Sequence, residues 1–558
     1  HRYTFPKSRC AGIAVDFSHG GIEIEDGRTI PLRAEYCLQE TFGAEACVTM
    51  EGLPIRMSVD ASGFDTHSTA GSLWEDGEIL SGQNEKAYEY MRESTYVPFG
   101  VCFRGPTEEE HVVELKVAFS FRSRKKANEN RSSSPHDFSV ARRIAKKDWE
   151  ERLDRIRVQG GTLAQQRTFY TAFYHSLIKP SEAHNESPFW PWDGPFFFDF
   201  STLWDMYKTQ LPLVLSLFPD EGAAIVNAML TVVEMEGNFP IGYRLARGYD
   251  RFSHQASALG HVVIADAFHR RLPGIDWERA LTLMSKDLGR EYGEAFFQDG
   301  VVHPLTHTLD LAYGCFCTAA IATEIGDTTV AAQMLEYASQ WKNAFDKTGL
   351  LRDSTYYEGS KYNYSFRLLH DMASRISLAG GDTAFVDLLD TFFGYAADSV
   401  PAPGVSPCRT EMAEGELLGR FEGFNNEPDM ESPYAYIYAG RHDRACEVIR
   451  AGLTQCYGDS RGGLVGNDDS GGMSSWYVWS ALGLFPVAGQ DVFLIGSPLF
   501  NRAEVQFGPD QAFAIETNGG GTESSYIRSV LLDGKPFKKP YLCWRDLCSG
   551  GTLSVKMT

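Results

Sequence analysis

Along residues 1–122, apolar and polar residues alternate in short runs, as in Tyr36-Cys-Leu, Ala46-Cys-Val-Thr-Met and Val112-Val-Glu-Leu-Lys-Val-Ala-Phe-Ser-Phe, separated by Gly, Asp and Ser. Successive side chains of a strand face opposite sides of a sheet, so a period of two with closely spaced turns predicts a β-sandwich. The next stretch, Arg122-Ser-Arg-Lys-Lys-Ala-Asn-Glu-Asn-Arg-Ser-Ser-Ser-Pro135, has no apolar period and is expected to be a loop. Apolar residues then return at helical spacing (Val140, Ile144, Trp149, Leu153, Ile156), predicting a connecting helix over 138–158 that stops at Gly160-Gly161.

From about 164 to 488 the pattern becomes one of helices punctuated by Gly, Pro and Asp. Candidates lie near 164–177, 202–215, 220–235, 253–271, 275–289, 306–325, 328–346, 363–380, 381–396, 430–438, 441–455 and 471–483. So many helices without intervening strands suggest helical pairs closing around a central funnel, an α/α toroid. No fixed-period repeat supports a solenoid. Short alternating runs resume over 490–558 (Val492-Phe-Leu-Ile, Ala503-Glu-Val-Gln-Phe, Ser529-Val-Leu-Leu) and predict a second β unit. The expected organisation is therefore a sandwich over 1–122, a linker and connecting helix over 123–160, a helical barrel over 161–488 and a C-terminal β unit over 489–558.

A chain of 558 residues exceeds what one hydrophobic core normally supports, and 43% hydrophobic with 23% charged residues is ordinary globular composition. A formal net charge of −22 argues against nucleic acid as a partner, because phosphates would be repelled. Lys and Arg cluster only at 122–126 and 142–147, read as a solvated linker and a solvated helix face. Aromatic residues make up 13%, including 10 Trp and 25 Tyr, enough both to fill a core and to stack on sugar faces. The 11 cysteines lack the spacing of a zinc site, and an odd count leaves at least one thiol free. No run approaches the length of a membrane-crossing helix. The opening His1-Arg-Tyr-Thr-Phe-Pro has neither Met nor a leader and reads as a processed or excised start.

Several segments concentrate chemistry. Glycines at 466, 471 and 472 loosen the backbone around Asn467, Asp468 and Asp469, just before the apolar helix 473–484; two adjacent carboxylates at a helix mouth suit catalysis, and equally turn and N-cap chemistry. Glu358 stands among tyrosines in Tyr356-Tyr-Glu-Gly-Ser-Lys-Tyr-Asn-Tyr, where a disfavoured charge would raise its pKa toward that of a general acid; an exposed Glu before a helix fits as well. Glu422, Asn425, Asn426, Glu427, Asp429 and Glu431 crowd one short span, hard oxygen donors suited to Ca²⁺ or to capping. Trp204 and Asp205 offer a sugar ring a stacking face and an acceptor, or a core ring and a cap. His254 and His261 lack a third metal ligand and read as binding or core residues. Arg367 and the His370-Asp371 pair could line the funnel or make ordinary surface contacts.

Taken in order, Phe169-Tyr-Thr-Ala-Phe-Tyr-His-Ser, Leu203-Trp-Asp-Met-Tyr-Lys-Thr, Ser253-His-Gln-Ala-Ser-Ala-Leu-Gly-His, Glu358-Gly, Asn425-Asn-Glu-Pro, Gly466-Asn-Asp-Asp-Ser-Gly-Gly-Met-Ser-Ser-Trp-Tyr-Val and Ile495-Gly-Ser-Pro-Leu-Phe resemble glycoside hydrolase family 92, the calcium-dependent inverting exo-α-mannosidases. The resemblance implies an N-terminal β-sandwich packed on an (α/α)6 barrel, with further sandwich strands expected before His1. It implies Glu358 as the acid protonating the departing glycosidic oxygen, Asp469 as the base activating water, and Asp468 as its support or alternate. It implies Ca²⁺ on Asn426 and Glu427 with Asp469 nearby, and a terminal mannose bound by Trp204 and Asp205, with Glu422, His254 and Arg367 as further substrate contacts. A mannose-containing glycan is the implied partner, and secretion or cell-surface display follows from that substrate alone. The chain departs from the family at Tyr362-Asn363-Tyr364, often Trp-Gln-Tyr, at Lys361 and Arg367, which add charge, and at Glu422-Gly423, where some α-1,2-specific members carry His-Glu. Two alternatives stand beside the mannosidase: release of mannose from mannose-1-phospho-6-mannose caps, with Lys361 and Arg367 holding phosphate, and a catalytically silent mannose-binding protein.

Overall fold

The computed structural model describes residues 1–18, 33–39, 42–50, 53–64, 70–91, 97–198, 200, 203–239, 256–290, 292–352, 361–395, 424, 426–464, 466–508, 512–518 and 526–558. The chain divides into two compact units, one built on His1–Glu151 with Glu182–Phe196, the other on Arg152–Ser181 and most of the remaining chain.

The first unit holds two antiparallel sheets. In the six-stranded sheet the order is Arg2–Phe5, His111–Ser120, Leu53–Ser62, Gly43–Met50, Arg33–Gln39, Glu85–Tyr88; in the four-stranded sheet it is Ser8–Asp16, Phe99–Thr107, Ala70–Glu75, Glu78–Leu80. The alternation in the sequence is what faces them together: in Arg33–Gln39 the side chains of Ala34 and Tyr36 are buried while Arg33 and Glu35 are exposed. Tyr36, Val59, Leu73, Phe99, Phe103 and Val113 from both sheets share one core, with the Tyr36 and Phe99 rings 4.9 Å apart. This is the expected sandwich.

The expected loop at 122–135 is instead a helix, Arg124–Ser133. Ser123 caps it by accepting from the Lys126 amide at 3.0 Å. Its docking is polar, which is why no apolar period announced it. Asn128 donates to Glu45 at 2.7 Å, Arg131 to Ser58 at 2.9 Å, and Asn130 to buried Glu186 at 2.9 Å. The connecting helix ends early, at Leu153, and Ile156–Gln159 is a strand with Ile156 buried and Arg157 exposed. Four residues carry both periods equally well, and the partner strand Arg502–Val505 decides for extension.

The second unit is the (α/α)6 barrel with its C-terminal sheets. Gln210–Leu217, Leu305–Ile325, Ser432–Tyr438 and Gly472–Leu482 are apolar on nearly every side and buried along almost their whole length. Trp277–Leu288, Thr328–Ala338 and Asp382–Phe392 carry one apolar stripe and a polar face. That contrast separates an inner ring from an outer one. The helix Leu305–Ile325 packs on Leu259–His269, Trp277–Leu288 and Thr328–Ala338, and Gly472–Leu482 returns to pack on Leu163–His175 and Gln210–Leu217, closing the ring. The helix Tyr292–Asp299 was not expected, and the single helix expected over 363–380 is two, Lys361–Ser365 and Met372–Leu378, the second started by Asp371 accepting from the Ser374 amide at 3.0 Å. Strands begin at Leu484–Pro486, inside the stretch read as barrel. A six-stranded sheet runs Ile156–Gln159, Arg502–Val505, Phe513–Asn518, Gly551–Met557, Ile527–Leu532, Lys535–Phe537, beside a three-stranded one. Described cysteines are free thiols, and no described helix is long and apolar enough to cross a membrane.

Candidate functional site

The site is organised by the turn before Gly472–Leu482. Asp469, Ser470 and Gly471 hold φ of 42°, 61° and 87°, three successive left-handed residues that reverse the chain into the helix. A β-carbon on Gly471 would stand 2.9 Å from the His175 carbonyl oxygen and 2.9 Å from Ser176 Cα; one on Gly472 would stand 3.0 Å from the Asp205 carbonyl oxygen. Glycine therefore lets this turn close onto the segment carrying Asp205. Thr209 extends the seam, donating to the Gly472 carbonyl at 3.1 Å and accepting from Ser475 at 2.8 Å, and the Trp479 indole donates to the Thr209 carbonyl at 3.0 Å.

The two adjacent aspartates diverge. Asp468 is a cap: its Oδ1 accepts from the Ser474 amide at 2.9 Å, and its Oδ2 lies 3.6 Å from His175 Nδ1. Asp469 points its carboxylate at two others. Oxygens of Asp205, Glu427 and Asp469 all lie within 4.8 Å of one another, Asp205 and Glu427 buried and Asp469 in contact with solvent. Glu427 opens a 3₁₀ turn, Glu427–Asp429, capped by Asn426, whose Oδ1 accepts from the Glu427 amide at 2.9 Å. Burial first, and then the Asp469 carboxylate, hold Glu427 well above the usual carboxylate range.

Three converging carboxylates are self-repelling unless a proton or a cation intervenes. Among the described residues Glu427 Oε1 has no hydrogen-bond partner although it is buried. An orphaned carboxylate oxygen in an all-oxygen acidic set is what a hard cation such as Ca²⁺ requires. Asp205, Glu427 and Asp469 fit such an ion, and Asn426, its Oδ1 already capping the turn, stands beside them.

Next to this cluster lies a pocket lined by Trp204, Tyr207, Lys208, Thr306, Asp310, Asn363, Tyr364, Arg367, Pro428 and Glu431. Its mixture of rings and polar groups suits a small polar molecule. Lys208 Nζ donates to the Glu427 carbonyl at 3.0 Å and pairs with Glu431 at 3.1 Å. Arg367 pairs with Asp310 and lies over the rings of Tyr207 and Tyr313, at 5.9 and 5.5 Å. Burial works against its charge, but Tyr207, Asp310 and Glu431 more than offset this and raise its pKa. Asn363 donates to both oxygens of Asp429, at 2.9 and 3.0 Å, tying the start of the helix Lys361–Ser365 to the 3₁₀ turn.

The structure thus brings together Trp204, Asp205, Arg367, Asn426, Glu427 and Asp469 from the sequence expectations, with Asp205 joining the acidic cluster rather than lining the pocket. Glu358, Glu422 and His254 lie outside the described residues. His261 is a core residue, its Nε2 2.9 Å from the Met284 carbonyl and its ring against Phe239. His370 stacks on Phe316 at 4.6 Å, and burial pushes its pKa down to about 4. Lys208, Asp310 and Glu431 were not singled out as binding residues. Asp310 carried a signal, a lone charge inside an otherwise apolar helical run.

Comparison with known proteins gives a consistent picture. Residues 124–558 match the model of the glycosyl hydrolase family 92 catalytic domain. The fold is similar to that of a family 92 α-mannosidase of Bacteroides thetaiotaomicron in complex with mannoimidazole, with TM-score 0.83 and 21% identity over 100% of this chain and 77% of that one. It is also similar to a family 92 inverting mannosidase of the same organism, with TM-score 0.82 and 22% identity over 95% and 77% of the two chains. In sequence the chain is 24% identical over 539 residues to an uncharacterized secreted glycosidase of Arthroderma benhamiae, 84% of this chain. It spans 63% of that relative's length.

Proposed function

The chain belongs to glycosyl hydrolase family 92, and from that premise we propose that it is an exo-acting α-mannosidase removing terminal mannose from glycans with inversion, assisted by calcium. The observation that carries the reading is the meeting of Asp205, Glu427 and Asp469 within 4.8 Å beside a pocket lined by rings and polar groups.

In this reading the pocket takes the terminal mannose, with the Trp204 indole offering a face and Asn363, Lys208 and Thr306 offering polar edges. Asp469 is the base: of the two adjacent aspartates it is the one whose oxygens are not spent on the helix amide, and its contact with solvent lets a water reach it. It takes a proton from that water as the oxygen attacks the anomeric carbon from the face opposite the leaving group. Glu358 gives its proton to the departing oxygen. Carboxyls in those roles stand roughly 6.5–9.5 Å apart, leaving room for the water. Asp205, Glu427 and Asp469 would hold the calcium, which supplies a fixed positive charge that orients sugar hydroxyls when bound.

Both cations of the pocket already face a carboxylate, Lys208 with Glu431 and Arg367 with Asp310. This balance favours a neutral sugar over a phosphate-capped one. A mannose-specific hydrolase of this kind would be secreted or displayed at the cell surface.

Digestion of α-1,2-, α-1,3- and α-1,6-mannobiose followed by NMR of the anomeric proton tests the whole reading. β-Mannose as the first product is expected from at least one linkage. α-Mannose as first product removes the inverting mechanism, and no free mannose from any linkage or from a mannan leaves only binding.

A further inference from the structure

Two side chains lining the pocket keep a hydrogen-bonding atom without a partner. Arg367 and Thr306 are only 7% and 5% exposed, yet among the described residues nothing bonds Arg367 Nη2 or Thr306 Oγ1. A buried polar atom left unpaired is costly, so atoms of this kind mark what a ligand supplies. Arg367 is not free to turn elsewhere. Its Nη1 donates to Asp310 Oδ1, and its guanidinium lies over the rings of Tyr207 and Tyr313. Asp310 is fixed in turn, its Oδ2 accepting from the Ser257 amide at 3.1 Å. Ser257 Oγ stands 2.8 Å from His307 Nδ1, and the His307 ring stacks on Tyr292 at 4.1 Å. Thr306 and Asp310 are four residues apart on the helix Leu305–Ile325, so they share one of its faces. A guanidinium nitrogen can only donate, whereas a threonine hydroxyl donates and accepts. The group that satisfies both is a hydroxyl, taking a hydrogen bond from Arg367 and exchanging one with Thr306. An anion there would also meet the carboxylates of Asp310 and Glu431, which the two cations of the pocket already balance.

The lining of the pocket says which hydroxyl this is. Trp204 and Pro428 are chain neighbours of Asp205 and Glu427 and mark the end next to the acidic cluster. Arg367 also borders a second recess, against Phe485, Pro486, Val487 and Ala488, which includes no chain neighbour of the cluster. A sugar whose anomeric carbon lies at Asp469 turns the opposite edge of its ring, the C4 edge, away from the cluster. We propose that Arg367 and Thr306 together determine specificity by binding the 4-hydroxyl of the terminal mannose, with Asp310 holding Arg367 in place. This rests on the reading of the pocket as the seat of that mannose. It names the substrate class more closely: chains ending in a mannose with an unsubstituted 4-hydroxyl, because a glycosyl group on that oxygen has no place between Arg367 and Thr306.

The test crosses enzyme variants with deoxy sugars. Arg367→Lys keeps the charge facing Asp310 but gives up the second arm, and Thr306→Val keeps shape without the hydroxyl. The substrates are α-mannobiose and its forms with a 4-deoxy or 6-deoxy non-reducing residue; the binding probes are methyl α-mannoside and its 4-deoxy and 6-deoxy analogues, titrated by NMR. On wild type, loss of the 4-hydroxyl should lower kcat/KM by about 10- to 10²-fold. Arg367→Lys should cost about 10- to 10²-fold and Thr306→Val about 2- to 10-fold on the parent and the 6-deoxy sugar. Neither variant should cost more than about twofold on the 4-deoxy sugar, where the partner is already gone. A merely structural role would lower all three sugars alike, and that result overturns the proposal, as does a loss that vanishes with the 6-deoxy sugar instead. Should Arg367→Lys fail to fold, Thr306→Val carries the same comparison. If wild type binds methyl α-mannoside with this pattern but cleaves no mannobiose, the mannosidase reading fails and the role of Arg367 and Thr306 stands. Cleavage without the pattern overturns their role alone, and neither binding nor cleavage overturns both.

Discussion

Replacing Glu427 by Gln removes one charge from the carboxylate cluster while keeping its size, and the sign of its effect should reverse with calcium. Without a cation, carboxylate oxygens within 4.8 Å of one another repel by roughly 3.5 kcal/mol or more per ionised pair at an effective dielectric of about 20. Solvent at Asp469 screens part of this, so relief of about 2–4 kcal/mol is expected where Glu427 would otherwise be ionised. Burial and then the Asp469 carboxylate raise the Glu427 carboxyl well above the ordinary glutamate range. The folded protein therefore keeps a proton that the unfolded chain has released, and in chelator wild-type stability should fall as pH rises from the ordinary glutamate range through that raised value. The variant has no such proton and should show none of this slope, so near pH 9 in EDTA its melting midpoint should lie above wild type. With calcium the order inverts: wild type gains strongly through binding, whereas the variant, short of one charged ligand, binds on the order of 10²-fold more weakly. Melting scans from pH 5 to 9 in EDTA and in calcium, with calorimetric titration of the ion, give both halves. A variant that melts below wild type in EDTA at pH 9, or binds calcium as tightly, refutes the account of the cluster.

Asp469→Asn should lower kcat on mannobiose by at least about 10³-fold, whereas Asp468→Asn, which weakens a helix cap, should cost about 1 kcal/mol and spare more of kcat; equal kinetic losses would contradict their division of labour. Gly471→Ala places a β-carbon against the backbone of His175 and Ser176 at a φ of 87°, and about 2–4 kcal/mol of destabilisation is expected in denaturant titration. Lys208→Met leaves Glu431 buried beside the pocket without its cation, so stability should drop by about 3–5 kcal/mol, while Lys208→Met with Glu431→Gln together should recover much of the loss in a double-mutant cycle.

Most of the architecture was legible because burial imposes a period. Inner strands such as Arg33–Gln39 and helices such as Trp277–Leu288 advertise their buried faces one residue at a time. Arg124–Ser133 gave no such sign because it docks through Asn128, Asn130 and Arg131, and polar contacts have no period. Ile156–Gln159 was too short for its period to count, and its partner lies far along the chain. At the site, residue type pointed to Asp469 and Glu427, but the part each plays depends on where its oxygens point. That Asp468 turns back to the Ser474 amide is a consequence of three left-handed residues in a row. The pairing of Lys208 with Glu431 and of Arg367 with Asp310 is tertiary, and no local pattern encodes which charge will meet which.

The return of Gly472–Leu482 to Leu163–His175 and Gln210–Leu217 has a consequence for biosynthesis. Asp205 leaves the ribosome more than 260 residues before Asp469, and the helices around it have no neighbour on one flank until the late helix arrives. Nascent chain halted before residue 472 would expose the apolar sides of Gln210–Leu217, making it a natural substrate for chaperones and prone to clumping. The acidic cluster, assembled across the same seam, would come into being only with the last step of ring closure, so premature hydrolysis by a half-made polypeptide is excluded by topology.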